Sequence, residues 1–242
     1  MDLFRQRSLY LWKFYLKPMM TLTFDNEFIN AVPGYRALII EADVTNSDTS
    51  ELQKQEIRQL ADNIAARYEI SDINRIPAIA ATRTAYKACG KDPNRYRPSQ
   101  EQMMRRIVRG LGLYHVNALV DAGNQLSLIT GCSVGCFDAG KIDGNELTLG
   151  IGRAGEPYEG IGRGPLNIDG MPVFRDATGG FGTPTSDNER TKITLSTNRI
   201  LVTIHLFHPD TDAQSVIDTF TDLFTRHANA SGIRHALYQP TV

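Results

Sequence analysis

The sequence predicts an α+β fold with a strand-rich, sandwich-like core and flanking helices. Helical periodicity occurs early, near the middle and at the end of the chain, whereas residues 113–206 contain short strand-like segments separated by turn residues. Helices and strands do not alternate regularly, which argues against a βαβ repeat. The chain has 242 residues, and we assign residues 20–242 to one large domain.

The first predicted elements are a buried strand and a long helix. Residues 35–41 are almost continuously apolar, which is typical of a strand covered on both faces. A helix is predicted from about Ser50 to Glu69, because apolar residues recur there at helical spacing. Its inner face comprises Ile57, Leu60, Ala61, Ile64, Ala65 and Tyr68. A linker at residues 72–77 follows.

The next stretch concentrates positive charge. Between Arg83 and Gly110, eight cations stand against two acids, in a chain whose formal net charge is −1. Residues 99–102 have the form of a capping box and predict the start of a short helix. One face of this helix would be apolar, with Met103, Met104, Ile107, Val108 and Leu111, and the opposite face would carry arginines.

This basic stretch predicts a polyanionic partner, such as a nucleic acid. We expect Tyr86 and Tyr96, which lie among the cations, to stack on bases. The cations expected to hold phosphates are Arg83, Lys87, Lys91, Arg95, Arg97, Arg105, Arg106 and Arg109. A solvated helix face followed by a basic loop is the alternative interpretation.

From Leu113 onward the pattern changes to short strands. We predict them at residues 115–121, 126–130, 145–152, 171–176, 191–196 and 200–206. The last element is a helix with Asp212 as its cap and Gly232 at its end. Its apolar stripe comprises Val216, Ile217, Phe220, Leu223, Phe224 and His227.

The N-terminal residues are treated separately from the domain. Residues 1–19 mix aromatic and basic side chains. A signal peptide has a continuous apolar core after its first charges, and Lys13 and Lys17 interrupt such a core here. We interpret this segment as a leader, with contact to a membrane surface as the alternative. No apolar run is long enough for a membrane span. The three cysteines favour a reducing, cytoplasmic setting.

Two short motifs match enzyme patterns without the context that these patterns need. Gly150–Gly155 matches G-x-G-x-x-G, but no helix is predicted to open there and meet a pyrophosphate. Gly131–Gly135 matches the nucleophile elbow G-x-S-x-G, but a loop is predicted where a serine hydrolase needs a helix. We therefore interpret both motifs as strand ends and turns.

The sequence signal for a metal site is equally weak. Cys132 and Cys136 could combine with Cys89, and His205 with His208, but neither set shows the paired spacing of structural zinc sites. The alternative is that the cysteines are small buried apolar residues. We therefore predict no metal and no cofactor.

Two acids are candidates for a site. Glu156 and Asp187 each lie in a loop rich in Gly, Pro or Thr, and loops on a rigid sheet commonly carry functional residues. A carboxylate in such a loop can orient a water molecule or bind a ligand amine. Capping of a turn is the alternative role.

Between Arg95 and about Asn198, longer motifs follow one another in a specific order. They are Arg95-Tyr96, Val120–Asn124, Phe137–Gly144, Gly155-Glu156, a strand ending at Asp176, and Gly179–Gly182. In order and spacing this region resembles the B3/B4 domain of the phenylalanyl-tRNA synthetase β subunit. Stand-alone members of that family are also similar at Arg83, Tyr86 and Gly90–Pro93.

The resemblance implies a β-sandwich of B3/B4 type. In the synthetase this domain is the editing site, which hydrolyses tyrosine wrongly attached to the phenylalanine tRNA. The implied function is a free-standing protein that binds tRNA or aminoacyl-tRNA and hydrolyses a mischarged ester. Its catalytic residues would be Asn124, Glu156 and Asp187. Alternatives are a small-molecule enzyme or ligand-binding domain without RNA, and a module that docks an acidic protein.

The chain departs from this family in the pocket. Asn124 matches the family's pocket asparagine, but Gly135 stands where the family has histidine and Ser133 where it has proline. The pocket glutamate falls near Pro184, so the nearest acid is Asp187. Most polar groups that recognise the tyrosine hydroxyl are therefore missing.

Overall fold

The computed structural model describes residues 18–240, which form two four-stranded sheets with helices packed against them. The strands are β1 (Thr21–Phe24), β2 (Arg36–Asp43), β3 (Ser133–Asp138), β4 (Glu146–Ile151), β5 (Glu159–Gly160), β6 (Gly164–Pro165), β7 (Pro172–Arg175), β8 (Gly180–Gly182), β9 (Arg199–Leu206) and β10 (Ser231–Tyr238). The helices are α1 (Asn26–Ala31), α2 (Glu51–Arg67), α3 (Pro77–Ala88), α4 (Ser99–Val108), α5 (Ala118–Thr130) and α6 (Ala213–Ala228). This mixture confirms the α+β class.

The two sheets share an apolar core. In the first sheet the strand order is β1-β4-β7-β8, with β1 parallel to β4. In the second the order is β10-β2-β9-β3, and neighbouring strands are antiparallel. Strands β5 and β6 form a separate hairpin. Side chains from both sheets meet in one buried cluster that includes Ile39, Phe137, Leu149, Phe174 and Leu201.

Helices cover the other face of the second sheet. Ile40 and Val202 of the sheet pack with Leu126 of α5 and Phe220 of α6. A further cluster joins α2, α3, α4 and α5 to one another. No helix within residues 18–240 combines the length and apolar character needed to cross a membrane.

Several predicted elements are confirmed. Strands β2, β4, β7 and β9 and helices α2 and α6 lie where the patterns placed them. Ser50 caps α2 by accepting a hydrogen bond from Gln53 N, and Asp212 caps α6 by accepting one from Gln214 N. Helix α6 ends earlier than predicted, at Ala228, and the next residue, Asn229, adopts a left-handed conformation with φ 48°.

The predicted strands at residues 115–121 and 126–130 are wrong, because residues 118–130 form helix α5. Asn117 starts the helix by accepting a hydrogen bond from Val120 N, and Gly131, with φ 70°, ends it. Most of α5 is buried, so its apolar residues do not form a single stripe. The predicted strand at residues 191–196 is also wrong, since residues 189–191 form a 3₁₀ turn.

The predicted capping box of α4 is wrong as well. Pro98 occupies the N-cap position and Ser99 is the first helical residue. The side chain of Gln102 donates to Arg97 O at 2.6 Å instead of to the helix start. The predicted apolar face is otherwise present, with Met104 and Ile107 buried, although Leu111 beyond the helix is exposed.

Strands β1, β3 and β10 were missed by the patterns. The predicted leader lies outside the described residues except at its end, and Met20 is buried with its backbone N donating to Glu41 Oε1 at 2.7 Å. The serine motif follows helix α5 and runs into strand β3, whose first residue is Ser133, so it lacks the strand–turn–helix geometry of a nucleophile elbow. Gly150 lies inside β4, and the next element after Gly155 is strand β5 rather than a helix.

Candidate functional site

Glu101 on α4 is fully buried and surrounded by arginines. Its Oε2 lies 2.9 Å from Arg83 Nη1, and its Oε1 lies 2.8 Å from Arg105 Nε and 3.8 Å from Arg97 Nε. Arg83 also donates to Pro93 O at 3.1 Å. The side chains of Arg83 and Arg105 are mostly buried. Arg83 ties α3 to α4, and Arg105 ties α4 to Ile70 O at 3.3 Å. Neither arginine is a free phosphate ligand, which corrects that expectation.

Lys91 is also committed to the interior. It is buried, and its Nζ donates to Asn167 O at 2.8 Å and to Asp169 O at 2.7 Å. The same Nζ lies 3.9 Å from the ring centroid of Tyr96. Burial lowers the pKa of Lys91. Lys91 therefore holds the loop at residues 167–169 and does not serve as an exposed cation.

Tyr86 is completely buried on the inner side of α3. Its hydroxyl lies 2.7 Å from Thr185 Oγ1, and burial raises its pKa. The expectation that Tyr86 stacks on bases is therefore wrong. Tyr96 is half-buried and its ring is near Lys91 and Arg95.

The remaining cations of the stretch form what we call the basic surface. Arg106 is half-buried and lies against the ring of Tyr114, at 4.1 Å from the ring centroid. Arg163 on the β5–β6 hairpin extends this surface, because it donates to Gln102 Oε1 at 2.8 Å. The basic surface comprises Lys87, Arg95, Arg97, Arg106, Arg109 and Arg163. Neither Tyr114 nor Arg163 was identified from the sequence.

The loop at residues 183–188 connects the basic surface to the sandwich. Its Pro184 O accepts a hydrogen bond from Ser99 N at the start of α4, at 2.7 Å. Its Asp187 O accepts one from Ile161 N of the hairpin, at 3.0 Å. On the other side the loop pairs with β8 through Gly182. The loop thus contacts α4, the hairpin and the first sheet.

Asp187 presents a carboxyl group without a cationic partner. Its Oδ2 accepts a hydrogen bond from Cys136 N at 3.4 Å, and no ion pair with Lys, Arg or His is formed within the described residues. Burial raises the pKa of Asp187 to about 8. Such a group exchanges a proton near neutral pH and is a candidate general base. Burial also raises the pKa of the neighbouring Cys136 thiol.

Glu156 has the opposite electrostatic setting. Both of its oxygens lie 2.7 Å from the Arg175 guanidinium, and Oε2 also accepts a hydrogen bond from Arg153 N. Burial opposes ionisation, but the bonds from Arg175 outweigh it and lower the pKa of Glu156. Glu156 lines an open cleft of 540 Å³ with Asp25 and Arg153. A carboxylate bound this firmly is a poor proton acceptor.

Asn124 lies on α5, half-buried, and its side chain makes no hydrogen bond within the part of the chain that the structure describes. The preceding residue, Gly123, faces Cys136, since a Cβ on Gly123 would lie 2.6 Å from Cys136 Sγ. Cys136 in turn donates to Asp187. Helix α5, strand β3 and the loop of Asp187 therefore meet at Cys136, whereas Glu156 lies at the cleft beside Gly180.

The ring of Phe137 occupies the space beside Gly135. A Cβ on Gly135 would lie 2.6 Å from Phe137 Cζ, and a Cβ on Gly182 would lie equally close to the same atom. Real Cβ atoms are essentially never found that close. The glycines at these positions therefore accommodate the ring, and a histidine at position 135 would require Phe137 to move.

Comparison with known proteins gives a consistent family assignment. Residues 81–239 match the family model described as B3/4 domain. The chain is 32% identical over 128 residues to the phenylalanine–tRNA ligase beta subunit of Bartonella henselae, and the match covers 49% of this chain and 14% of that protein. The chain thus spans a small part of that relative's length.

A solved structure also matches over most of the chain. It is an N-terminal fragment of the phenylalanyl-tRNA synthetase beta-subunit from Pyrococcus horikoshii, with a TM-score of 0.46 and 11% sequence identity. The match covers 91% of this chain and 54% of that one.

Proposed function

The chain belongs to the B3/4 domain family, and on that premise we propose that it binds aminoacyl-tRNA and hydrolyses the ester of a mischarged tRNA. The observation that carries this proposal is Asp187. Its carboxyl has no ion-pair partner within residues 18–240, burial raises its pKa to about 8, and its loop is hydrogen-bonded to α4, which carries part of the basic surface. This connection supports a proposed site in which RNA binding and proton transfer would lie side by side.

Binding rests on the exposed cations of the basic surface. Lys87, Arg95 and Arg109 are exposed, and none of them forms an ion pair within residues 18–240. Each cation that neutralises a phosphate releases counterions, so affinity should fall steeply as salt concentration rises. Affinity for tRNA that does not depend on salt would contradict this role.

In this proposal the nucleophile is a water molecule, because two candidate protein nucleophiles are unsuitable. The Cys136 thiol is held in its neutral form by burial, and the serine of the G-x-S-x-G motif, Ser133, is buried and donates to Gln100 Oε1. In the proposed reaction, the Asp187 carboxylate takes a proton from water as the water oxygen attacks the ester carbonyl. The ester C–O bond then breaks, the ribose oxygen takes the proton back from Asp187 and leaves as a hydroxyl, and Asn124 helps to orient the water.

Glu156 has a supporting role in this scheme. Its ion pair with Arg175 fixes the segment that leads to Tyr158, whose hydroxyl donates to Ser186 O at 2.7 Å beside Asp187. Glu156 is thus a positioning residue for the loop at residues 183–188. Backbone amides of Gly179–Gly182 are candidates to stabilise the oxyanion.

The test is deacylation of labelled aminoacyl-tRNAs, tyrosine on the phenylalanine tRNA among them, at physiological salt. Asp187→Asn should lower the rate at least 100-fold, the low end for loss of a general base, while tRNA affinity stays unchanged. Asp210→Asn, on an exposed loop, is the matched control. Unchanged turnover in the Asp187 variant would refute its role, and absence of tRNA binding would refute the proposal as a whole.

One observation favours a ligand-binding function without RNA. The cleft beside Glu156 contains Asp25 and Arg153, whose side chains make no hydrogen bond within residues 18–240. Asp25 stands at the N-cap of α1 but does not cap it, and its Oδ2 lies where a Cβ of Gly150 would be. Binding of a small charged molecule by a protein that neither binds nor deacylates tRNA would support this alternative.

A further inference from the structure

Tyr114 is an aromatic side chain in an unusually open position. It is 73% exposed, the highest fraction among the large apolar and aromatic side chains that the structure describes. It lies in the segment that connects α4 to α5. The guanidinium of Arg106 lies 4.1 Å from its ring centroid, which is within cation–π distance. The ring is therefore held from one side and largely open to solvent.

Arg106 is fixed in place without being neutralised. Its Nη2 donates to Leu111 O at 3.2 Å, while its Nε is buried and has no hydrogen-bond partner. No acid pairs with it among residues 18–240. A buried donor left without a partner is costly, so such groups call for an explanation. Here the arrangement keeps a full positive charge under an exposed ring.

Further polar and basic side chains lie along the same side of α4. Gln102 and Arg106 fall on one face of α4, about 6 Å apart along the axis, and Arg109 follows directly after the last helical residue. Arg163 of the hairpin joins this row through its bond to Gln102. The neighbouring Ile161 donates to the backbone of Asp187. A basic row thus runs from Tyr114 toward the loop that carries Asp187.

Building on the proposed function, we propose that Tyr114 and Arg106 form a platform on which an unpaired RNA base stacks. Every base offers a π face, so an open tyrosine ring beside free cations suits single-stranded RNA without a sequence requirement. Arg109 and Arg163 would hold the flanking phosphates. The strand would then continue along α4 toward Asp187. Exposed Leu111 and Val116 nearby would also suit a protein, but the uncompensated positive charge favours RNA.

The experiment is fluorescence anisotropy with a labelled single-stranded RNA 12-mer and a blunt duplex of the same length, over a series of salt concentrations. Tyr114→Ala should weaken single-strand binding about 10- to 100-fold without changing the salt dependence. Tyr114→Phe keeps the ring and should stay within about twofold. Arg109→Gln should lower the salt slope by about one.

Two controls separate stacking from loss of structure. Leu195→Ala removes a similarly exposed apolar side chain, 56% exposed, outside the basic row and should leave RNA affinity unchanged. Duplex affinity should not respond to Tyr114→Ala, because a paired base is not available to stack. Thermal melts of each variant should match the wild type.

The outcomes distinguish this inference from the function on which it rests. If the wild type binds tRNA but Tyr114→Ala binds the single strand as tightly as wild type, the platform is wrong and the proposed function stands. If Tyr114→Ala weakens duplex and single strand equally, stacking is wrong. If the wild type binds no RNA at low salt, both proposals fail. If Tyr114→Ala lost binding to a protein partner but kept wild-type affinity for RNA, this surface would belong to that protein partner and the platform would be wrong.

Discussion

Glu101 and Asp187 carry carboxyl groups in adjoining parts of one molecule, the first fully buried and the second half-buried, and their surroundings are opposite. Arg83, Arg97 and Arg105 surround Glu101, whereas Asp187 accepts one weak bond from a backbone amide and meets no cation within residues 18–240. The comparison shows that positive charge in the basic stretch has two uses. Part of it holds helices together, and part of it remains on the surface beside an unneutralised acid.

The largest expected effect is at Glu101. Glu101→Gln keeps the volume of the side chain but leaves Arg83 and Arg105 mostly buried without a counter-charge. Removing one partner of a buried ion pair is strongly destabilising, so we expect the free energy of unfolding to fall by about 3 kcal/mol. Urea denaturation measures this. Glu51→Gln, which removes an exposed pair with Lys54, should leave the midpoint unchanged. A loss as small as that control would show that the arginines are solvated.

The next effect is the pH dependence caused by Asp187. Its folded pKa is raised to about 8, so between the ordinary carboxyl pKa of about 4 and pH 8 the folded chain holds a proton that the unfolded chain has lost. Stability should therefore fall as pH rises through this window. Asp187→Asn removes that slope and should be more stable than wild type at pH 8 by on the order of 2 kcal/mol.

Chemical denaturation at pH 5, 6.5 and 8 measures this difference. The advantage of Asp187→Asn should shrink toward acid pH, where the wild-type carboxyl is already neutral. Asp210→Asn should follow the wild-type curve. If Asp187→Asn were less stable at pH 8 than at pH 5 relative to wild type, Asp187 would be a stabilising carboxylate and a poor candidate for proton transfer.

An effect of similar size separates two lysines of the same stretch. Lys91→Met removes two hydrogen bonds to backbone carbonyls and should cost about 2 kcal/mol of stability without altering RNA affinity. Lys87→Met, at an exposed position, should leave stability unchanged and lower the salt slope of tRNA binding by about one. Thermal melts and salt titrations of both variants test this. If both variants changed stability and the salt slope of tRNA binding to the same extent, the distinction between interior and surface cations would be wrong.

The fold could be predicted where one face of an element is apolar and the other polar. Helix α6 shows this, whereas strand β9 is buried on both faces and is recognised as a short apolar run. Helix α5 could not be predicted in this way, because most of its residues are buried. In a helix that is covered on most sides, apolar residues do not recur at helical spacing. Strand β10 is largely half-exposed at the edge of its sheet, so it lacks the apolar alternation that identifies strands.

The candidate site was predictable only in part. The spacing of Glu101 and Arg105 is that of neighbours on a helix, but Arg83 reaches Glu101 only because α3 packs beside α4. Two tyrosines in similar basic surroundings also differ in the fold, since Tyr86 is buried and Tyr114 is exposed. Charge and residue type do not reveal which side chains become buried. That depends on contacts between elements far apart in the chain.

The pairing of β2 has a consequence for how the chain acquires its structure. This strand is formed by residues 36–43, yet its partners are residues 199–206 and 231–238. The backbone of β2 therefore has no strand to pair with, and its apolar side chains stay uncovered, until nearly the whole domain has been synthesised. Such distant pairing slows folding, because a long loop must close before the contact forms. A ribosome-bound intermediate would expose this strand, which makes it the expected contact point for chaperones.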